Sequence, residues 1–131
     1  MTTTPHPHAE ILLVLYTDFS LLDRYAADDV VLHRADRVVG DPPVVGKEAV
    51  LRHEAALLEL TGGTLRMDVQ HIAANDHFGA VLGVLRSTRP QPVAMPFCGL
   101  WRFEDGLIVE HWENAYHPAE LLRLLIGEQL A

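Results

Sequence analysis

The sequence lacks most of the features that would tie it to an oxidising compartment or to a membrane. Cys98 is the single cysteine among 131 residues, so the chain cannot form an internal disulfide, and a zinc site built on cysteines is not expected. The longest purely apolar run, Ile11 to Leu15, is far shorter than the roughly 20 residues of a membrane-spanning helix. Residues 1–8 have neither the basic start nor the apolar block of a signal peptide. We therefore predict a cytoplasmic protein that does not enter a membrane.

Positive charge is also scarce, and so are the motifs that hold cofactors. Ten lysines and arginines stand against 18 aspartates and glutamates, which gives a net charge of −8. A surface of this sign is not attracted to nucleic acid or to anionic lipid, so we expect neither as a partner. The sequence contains no phosphate-binding glycine loop, no dinucleotide fingerprint, no Gly-x-Ser-x-Gly and no His-x-x-x-His. We expect no cofactor and no metal.

The length is typical of one domain. A chain of this size buries roughly two thirds of its unfolded surface, which is enough for one core and one internal cavity. Residues 1–8 are polar, terminal and contain two prolines, so we predict a disordered tail in which His6 and His8 are solvated. The remaining residues, 9–131, are predicted to form a single domain.

Hydrophobic periodicity divides this domain into helices and strands. Helices are predicted at Ala9–Tyr16, Phe19–Ala27, Lys47–Leu60 and from Pro118 to about Gly127. Strands are predicted at Val30–Arg34, Thr64–Ala74, His77–Thr88, Val93–Phe103 and Leu107–Tyr116. Helices and antiparallel strands are segregated along the chain, which indicates an α+β protein. A curved antiparallel sheet wrapped around a long helix would leave a cone-shaped space, which is a natural ligand cavity.

The last two predicted strands form a hairpin that carries the most distinctive residues of the sequence. Asp105-Gly106 between them is a strong signal for a tight turn. Because strand side chains alternate between two faces, one face is predicted to hold Phe97, Gly99, Trp101 and Phe103 before the turn, and Leu107, Val109, His111 and Glu113 after it. Ile108 and Trp112 fall on the opposite face. The first face ends with an imidazole and a carboxylate beside aromatic rings, which predicts a small-molecule pocket.

Three residues are predicted to be catalytic: Glu113, His71 and His111. Burial in an apolar cavity should raise the pKa of Glu113, because it disfavours the charged form. The carboxyl group could then abstract a proton next to a carbonyl or protonate a leaving hydroxyl. His71 falls on the apolar face of its strand, where it could act as a base or bind a ligand carbonyl. His111 lies two residues from Glu113, whose charge should raise the pKa of the imidazole.

A second group of residues is predicted to bind the substrate, through stacking on aromatic rings or through hydrogen bonds. This group consists of Tyr16, His33, Arg34, His53, Phe97, Trp101, Phe103 and Tyr116. Other roles remain open at this point. Glu113 could pair with Arg34 or Arg102, His71 could be a core histidine that bonds a neighbour, and His53 could face a loop.

Four segments in this order resemble the nuclear transport factor 2-like superfamily, and most closely its SnoaL-like and ketosteroid-isomerase-like small proteins. They are Tyr25–His33, Gly46–Val50, Ala73–Asp76 and Leu100–Glu113. The resemblance covers residues 9–127 and implies the cone-shaped α+β fold, a cavity for a hydrophobic small molecule and a homodimer through the outer face of the sheet. It does not imply one activity, because the superfamily contains cyclases, isomerases, dehydratases, epoxide hydrolases and non-catalytic modules.

Matched residue by residue, the resemblance singles out Glu113. SnoaL-like cyclases have an acid/base aspartate at this position. The general base and the oxyanion acid of ketosteroid isomerases fall near Arg34 and Gly99, which disfavours steroid isomerisation. Two of the three residues of the Asp-Arg-Asp set in limonene-epoxide-hydrolase-like enzymes have no counterpart. His71 is a counterpart of the strand histidine of scytalone-dehydratase-like members, with Asp18 or Glu113 as its acid.

The sequence thus predicts a cofactor-independent enzyme that transfers protons on a hydrophobic cyclic carbonyl compound, as in cyclisation, isomerisation or dehydration. The alternative is a non-catalytic ligand-binding or dimerisation module of the same fold. A Glu113 that is salt-bridged to an arginine would favour the module. An open cavity lined by both Glu113 and a histidine would favour the enzyme.

Overall fold

The computed structural model describes residues 6–125, which contain four α-helices and six strands. The helices are α1 (Pro7–Thr17), α2 (Leu22–Tyr25), α3 (Lys47–Leu60) and α4 (Pro118–Leu125), and a 3-10 turn at Phe19–Leu21 precedes α2. The strands are β1 (Ala26–His33), β2 (Val44–Val45), β3 (Arg66–Ala74), β4 (Phe78–Ser87), β5 (Val93–Glu104) and β6 (Leu107–Ala115). No helix within residues 6–125 is long and apolar enough to cross a bilayer.

The strands form one curved, unclosed sheet in the order β2-β1-β6-β5-β4-β3. Neighbouring strands are antiparallel except for β1 and β6, which run parallel. Helix α1 packs against β3 and β4, and α3 packs against β1. The predicted α+β class with a curved sheet around helices is therefore confirmed, with one parallel pair added to an otherwise antiparallel sheet.

The hairpin of β5 and β6 turns where the sequence predicted. Asp105 has a φ of 51° and Gly106 a φ of 80°. A two-residue hairpin turn of type I′ needs positive φ at both positions, a conformation that glycine adopts freely and aspartate tolerates. The strands pair so that Gly99 lies opposite Glu113 and Trp101 opposite His111. The predicted face with these four residues is confirmed.

Two bulges change the other predicted faces. In β3, Val69 pairs with Gly83 while His71 pairs with Leu82, so Gln70 is an extra residue. Because an extra residue reverses the alternation that follows it, His71 points to the outer face, beside a Leu82 that is 46 % exposed.

The second bulge is in β6, between the pairs Arg102–Glu110 and Phe103–Ile108. Ile108 is therefore fully buried, whereas Leu107 is 40 % exposed. The prediction that Ile108 lies on the outer face, and Leu107 on the inner one, was wrong.

The N-terminal boundary differs from the prediction as well. Pro7 opens α1, where its missing N–H costs no hydrogen bond, and the His6 side chain caps the helix. His6 also bonds Asp76 at 2.7 Å, and the ring of His8 stacks on Phe103 at 3.9 Å between centroids. Residues 6–8 are therefore part of the fold and not of a disordered tail. Residues 1–5, and the predicted helix end at Gly127, lie outside the described residues; a single domain over residues 9–131 stays a prediction.

The second predicted helix is much shorter than its periodicity suggested. It comprises the 3-10 turn and α2, and the chain is already extended at Ala26, which pairs with Ile108 of β6. Pairing with the sheet thus overrides local helix propensity here, as tertiary context commonly does. Between the predicted strand Val30–Arg34 and the predicted helix Lys47–Leu60, the short strand β2 pairs with β1.

The core consists of two clusters that leave a space between them. The larger cluster joins α1 to the sheet through residues such as Leu12, Leu15, Trp101 and Phe103. The smaller cluster lies under α4 and contains Leu85, Val93, Met95, Leu121 and Leu125. Side chains of both clusters border this space, so much of its wall is apolar.

Candidate active site

An open cavity of about 260 Å³ lies between the inner face of the sheet, α3 and α4. Its wall is mostly apolar, with Phe97 from the sheet and leucines from α3 and α4. The carboxyl, imidazole, guanidinium and phenol groups that border it belong to Tyr16, Arg34, Asp36, His53, Glu54, His111 and Glu113. A mostly apolar cavity with a few convergent polar groups is the usual form of a small-molecule site.

Glu113 and His53 form the first polar pair of the cavity. The Nε2–H of His53 donates to Oε1 of Glu113 at 3.1 Å, and the Ala35 N–H reaches the same oxygen at 3.4 Å. Burial alone would raise the pKa of Glu113, but the hydrogen bond and charge of His53 and the nearby His111 hold it below its usual value. Burial would likewise lower the pKa of His53, yet Glu113 raises it. Each side chain therefore favours the charged form of the other, and the predicted upward shift at Glu113 was wrong.

Glu54 is the second carboxyl group of the cavity and was not predicted from the sequence. Polar atoms of His53, Glu54 and Glu113 all lie within 4.8 Å of one another. Within residues 6–125, the Glu54 carboxyl has no hydrogen-bond or ion-pair partner. Burial and the charge of Glu113 raise its pKa to about 8, although His53 opposes the shift. At neutral pH, Glu54 therefore keeps its proton while Glu113 does not.

A signal for Glu54 is present in the sequence. The inner face of α3 follows Val50, His53 and Leu57, and Glu54 lies one helical turn after Val50. Residues three and four apart share a helix face, so a stripe centred on Val50 includes Glu54. The apolar stripe that periodicity predicts for this helix passes over Glu54 and includes Ala56 and Leu60, which are exposed. Its members are Ala49, Val50, His53, Ala56, Leu57 and Leu60.

Tyr16 supplies a hydroxyl group at the inner end of the cavity. The Trp101 Nε1–H donates to the Tyr16 oxygen at 3.2 Å, which leaves the phenolic proton available for a ligand. Burial raises the pKa of Tyr16 far above its ordinary value, more than the Trp101 hydrogen bond lowers it. Tyr16 is thus a permanent hydrogen-bond donor. A Cβ at position 99 would overlap the Tyr16 oxygen and lie 3.1 Å from Trp101 Nε1, so only glycine fits beneath this pair.

His111 lies behind the carboxylate as a neutral imidazole. Its ring stacks on Trp101 at 3.4 Å between centroids, and its Nδ1–H donates to the Leu100 carbonyl at 2.9 Å. Burial lowers the pKa of His111 to about 4, although the charge of Glu113 opposes the shift. The prediction of a raised pKa was wrong because desolvation outweighs the neighbouring charge. With the proton on Nδ1, Nε2 can only accept a hydrogen bond.

The loop after β1 covers one side of the carboxylate. Arg37 donates to the Glu113 carbonyl at 2.6 Å and to Asn114 Oδ1 at 3.0 Å, which fastens this loop to β6. Arg34 borders the cavity and pairs with Asp36. Neither Arg34 nor Arg102 is the partner of Glu113, since Arg102 bonds Glu110 and Glu104. Glu113 is therefore paired with a histidine and not with an arginine.

The structure brings six of the predicted site residues to the cavity: Tyr16, Arg34, His53, Phe97, His111 and Glu113. Five others lie elsewhere. Trp101 is buried behind Tyr16 and His111, and Phe103 is buried against His8. His33 bonds Glu110 on the outer face of the sheet, because the inner face of β1 is formed by its even-numbered neighbours. Tyr116 is 82 % exposed beyond the end of β6.

His71 is the fifth, and its position leads to a testable expectation. Since the β3 bulge places it on the outer face, His71→Gln should change the free energy of unfolding by no more than about 0.5 kcal/mol. It should also leave any activity of the cavity unchanged. Chemical denaturation and activity assays on the same preparation would check both, and a large loss of activity would contradict the observed register.

Gly99→Ala should disturb the contact between Tyr16 and Trp101. Its new methyl group must displace the Tyr16 hydroxyl or the Trp101 ring, and overpacking of this kind costs about 1–3 kcal/mol of stability. If the clash with the Tyr16 oxygen dominates, Tyr16→Phe should relieve it. Denaturation of both single variants and the double variant would measure this coupling; strict additivity would contradict the assigned contact.

The same cavity contains the one group of described residues that could hold a metal ion: His53, Glu54 and Glu113. A cation bound there would have to displace the Glu54 proton and the hydrogen bond between His53 and Glu113. Proton and metal would therefore compete for these side chains. The expected absence of a metal stays a prediction.

A curved, unclosed sheet packed against helices, with an apolar cavity between them, defines the cone-shaped α+β class. The chain belongs to the SnoaL-like domain family, whose family model matches residues 14–111. The predicted resemblance to this branch of the nuclear transport factor 2-like superfamily is confirmed. Among curated proteins, no sequence matches significantly.

Several solved structures share this fold. A candidate SnoaL-like polyketide cyclase from Jannaschia sp. CCS1 is 14 % identical over 98 % of this chain and 99 % of its own, with a TM-score of 0.77. IdmH, a candidate polyketide cyclase from Streptomyces antibioticus, is 22 % identical over 94 % and 100 %, with a TM-score of 0.67. TerC, co-crystallised with polyporic acid, is 17 % identical over 92 % and 98 %, with a TM-score of 0.72. At these identities the likeness concerns the fold alone.

Proposed function

We propose that the protein is a cytoplasmic, cofactor-independent enzyme that transfers protons on a hydrophobic cyclic carbonyl compound. The proposal rests on one observation, the placement of an ionised Glu113 and the proton-bearing Tyr16 hydroxyl in one apolar cavity. Pairs of titratable groups whose pKa values are pushed apart are the usual sign of an acid and a base. The family, and the candidate polyketide cyclases and ligand-bound TerC among its structural neighbours, support a small organic substrate.

The chemistry follows from which side chains of the cavity carry a proton. Glu113 removes a proton from the carbon next to a substrate carbonyl, and the electron pair of that C–H bond forms an enolate. The Tyr16 hydroxyl donates to the enolate oxygen, which compensates for the weak basicity of a carboxylate with a low pKa. His53 keeps Glu113 ionised and in place. Return of the proton to another carbon gives isomerisation, whereas attack of the enolate on a second carbonyl gives cyclisation.

Deuterium exchange tests this proposal without knowledge of the natural substrate. Cyclohexanone and β-tetralone would be incubated with the protein in D2O, and loss of their α-hydrogens followed by NMR. We expect exchange at least about ten times faster than in buffer, because a positioned base contributes roughly 10²–10⁴-fold. Binding of both ketones without acceleration would contradict the proposal and favour the non-catalytic module.

We also propose that two copies of the chain associate through the outer face of the sheet. This face carries Phe78, Leu82 and Leu100, which are 52 %, 46 % and 40 % exposed. Phe78, Leu100 and Trp112 border a depression of about 560 Å³ on it. Contiguous exposed apolar surface of this kind marks an interaction site. The family resemblance supports a second copy as the occupant.

The assembly is tested by light scattering on the purified protein. The wild type should have twice the chain mass of 14.6 kDa, and Leu100→Glu should be a monomer. Leu58→Glu on the exposed side of α3, where Leu58 is 48 % exposed, is the matched control and should remain a dimer. A monomeric wild type would contradict the proposed interface.

A further inference from the structure

We propose that this cavity dehydrates β-hydroxy ketones by syn elimination, with Glu113 as the base and Glu54 as the acid. The inference rests on the proposed function and makes it more specific, since it names the substrate class and the reaction. It gives a role to Glu54, which simple proton exchange at a carbonyl does not need.

The geometry first requires that acid and base act on the same face of the substrate. Polar atoms of Glu54 and Glu113 lie within 4.8 Å of each other on one side of the cavity, one carried by α3 and the other by β6. In a syn elimination the α-hydrogen and the leaving hydroxyl lie side by side, so neighbouring groups can serve both. In an anti elimination they point to opposite faces, and adjacent carboxyl groups cannot reach them together.

The contacts then decide which carboxyl group carries the proton. Glu113 accepts hydrogen bonds from His53 and from the Ala35 N–H, which stabilise its anion. Glu54 has no such partner among residues 6–125 and lies against the charge of Glu113. Two neighbouring carboxylates in an apolar site cannot both be ionised cheaply, so one proton stays on Glu54. Its raised pKa, about 8, agrees with this assignment.

The other polar groups of the cavity are poorer acids for a leaving hydroxyl. The proton of His111 lies on Nδ1, which is engaged with the Leu100 carbonyl. His53 directs its Nε2–H to Glu113. Burial keeps the proton on Tyr16 by raising its pKa, so the hydroxyl is suited to hold the ketone oxygen. Asp36 is paired with Arg34, whose hydrogen bond lowers the pKa of the Asp36 carboxyl group. Among the described carboxyl groups of the cavity, Glu54 is therefore left to protonate the hydroxyl.

The step balances without any co-reactant. Glu113 takes the α-proton, the electrons of the C–H bond form the C=C bond, and the C–O bond breaks as its oxygen takes the Glu54 proton. The products are an α,β-unsaturated ketone and water. Glu113 is then protonated and Glu54 ionised, and transfer of one proton between these neighbouring groups restores the starting state.

A matched pair of probes separates this step from the proposed function. Cyclohexanone reports α-proton exchange only, whereas β-hydroxycyclohexanone can also lose water to give cyclohexenone, which is followed by its ultraviolet absorbance. Deuterium placed on the α-carbon, cis or trans to the hydroxyl, shows which hydrogen is lost. We expect the wild type to form cyclohexenone with loss of the cis label.

Three variants then assign the roles. Glu54→Gln should lower the ratio of dehydration to exchange by about 30-fold or more, since a positioned acid contributes roughly 10²–10⁴-fold. Glu113→Gln should lower both rates together. Glu59→Gln is the control, because Glu59 is exposed on the same helix, and both rates should equal those of the wild type. Thermal melts of all variants would separate loss of chemistry from loss of fold.

The outcomes distinguish failure of the proposed elimination from failure of the proposed function. Wild-type exchange of cyclohexanone without dehydration of β-hydroxycyclohexanone would overturn the elimination and leave the proposed function standing. Loss of the trans label, or an unchanged ratio in Glu54→Gln, would also overturn it. The absence of both reactions in the wild type would overturn the proposed function and this inference with it.

Discussion

Replacement of Glu113 by glutamine should lower α-proton exchange by about 10²–10⁴-fold while the protein stays folded. The amide has the size of the carboxyl group and can still accept the His53 hydrogen bond, so the cavity keeps its shape. It cannot take a proton from carbon, and this loss accounts for the expected effect. Exchange of β-tetralone in D2O measures the rate, and circular dichroism with thermal melting measures the fold.

A second consequence of the same substitution does not depend on any substrate. The charge of Glu113 raises the pKa of His53 and also that of Glu54. Without this charge, both pKa values should move down. NMR titration of the His53 ring in the wild type and in Glu113→Gln would measure the first shift directly.

The matched control for Glu113→Gln is Glu110→Gln, on the same strand but on the outer face, where Glu110 bonds His33 and Arg102. Surface ion pairs contribute about 0–1 kcal/mol, so this variant should keep its activity. A Glu113→Gln protein that is folded and fully active would remove Glu113 from the mechanism. Equal losses in both variants would point to a disturbed strand and not to a missing base.

The hairpin was predictable because its signals are local. Asp105-Gly106 specifies the turn, and strict alternation from Phe97 to Phe103 specifies the face. The turn alone would pair Gly99 with Trp112, and the bulge in β6 shifts the register by one residue, so that Glu113 lies opposite Gly99. The turn and the faces were thus encoded within a short stretch of chain, whereas the cross-strand register was not.

His71 was misplaced because a bulge has no local signature here. The residues Leu65, Met67, Val69 and His71 alternate regularly, and nothing in Gln70 marks it as extra. The bulge is seen only in the pairing of β3 with β4, where Val69 lies opposite Gly83 and His71 opposite Leu82. A pattern that continues through a bulge assigns every later side chain to the wrong face.

The pKa shifts of the two carboxyl groups were misassigned for a related reason. Burial was expected to raise the pKa of a carboxyl group, and it does, but the group is Glu54 and not Glu113. The difference comes from His53, which α3 places against Glu113 across the cavity. A pairing between a helix and a strand 60 residues apart depends on tertiary packing, which composition and periodicity do not specify.

Glu54 should also make the fold less stable as the pH rises. Its folded-state pKa, about 8, lies above the ordinary value of 4.5, so between these two values the unfolded chain releases a proton that the folded protein retains. Stability contributed by the bound proton is fully present below pH 4.5 and is lost as the pH rises through about 8. One pKa unit corresponds to about 1.4 kcal/mol, and solvent in the open cavity reduces the full shift to a loss of about 2–4 kcal/mol.

Glu54→Gln should therefore be more stable than the wild type at pH 8.5 by about 2–4 kcal/mol, and equal to it at pH 4. Glutamine resembles the protonated acid and has no proton to lose, so the pH dependence that Glu54 causes disappears. Urea denaturation at several pH values measures the difference, with Glu59→Gln as the control that keeps the wild-type profile. If Glu54→Gln is more stable than the wild type at alkaline pH and also loses dehydration, then Glu54 is needed by the reaction and lowers the stability of the fold. Parallel profiles for wild type and Glu54→Gln would instead show that Glu54 is ionised in the folded protein, and would remove it as the acid.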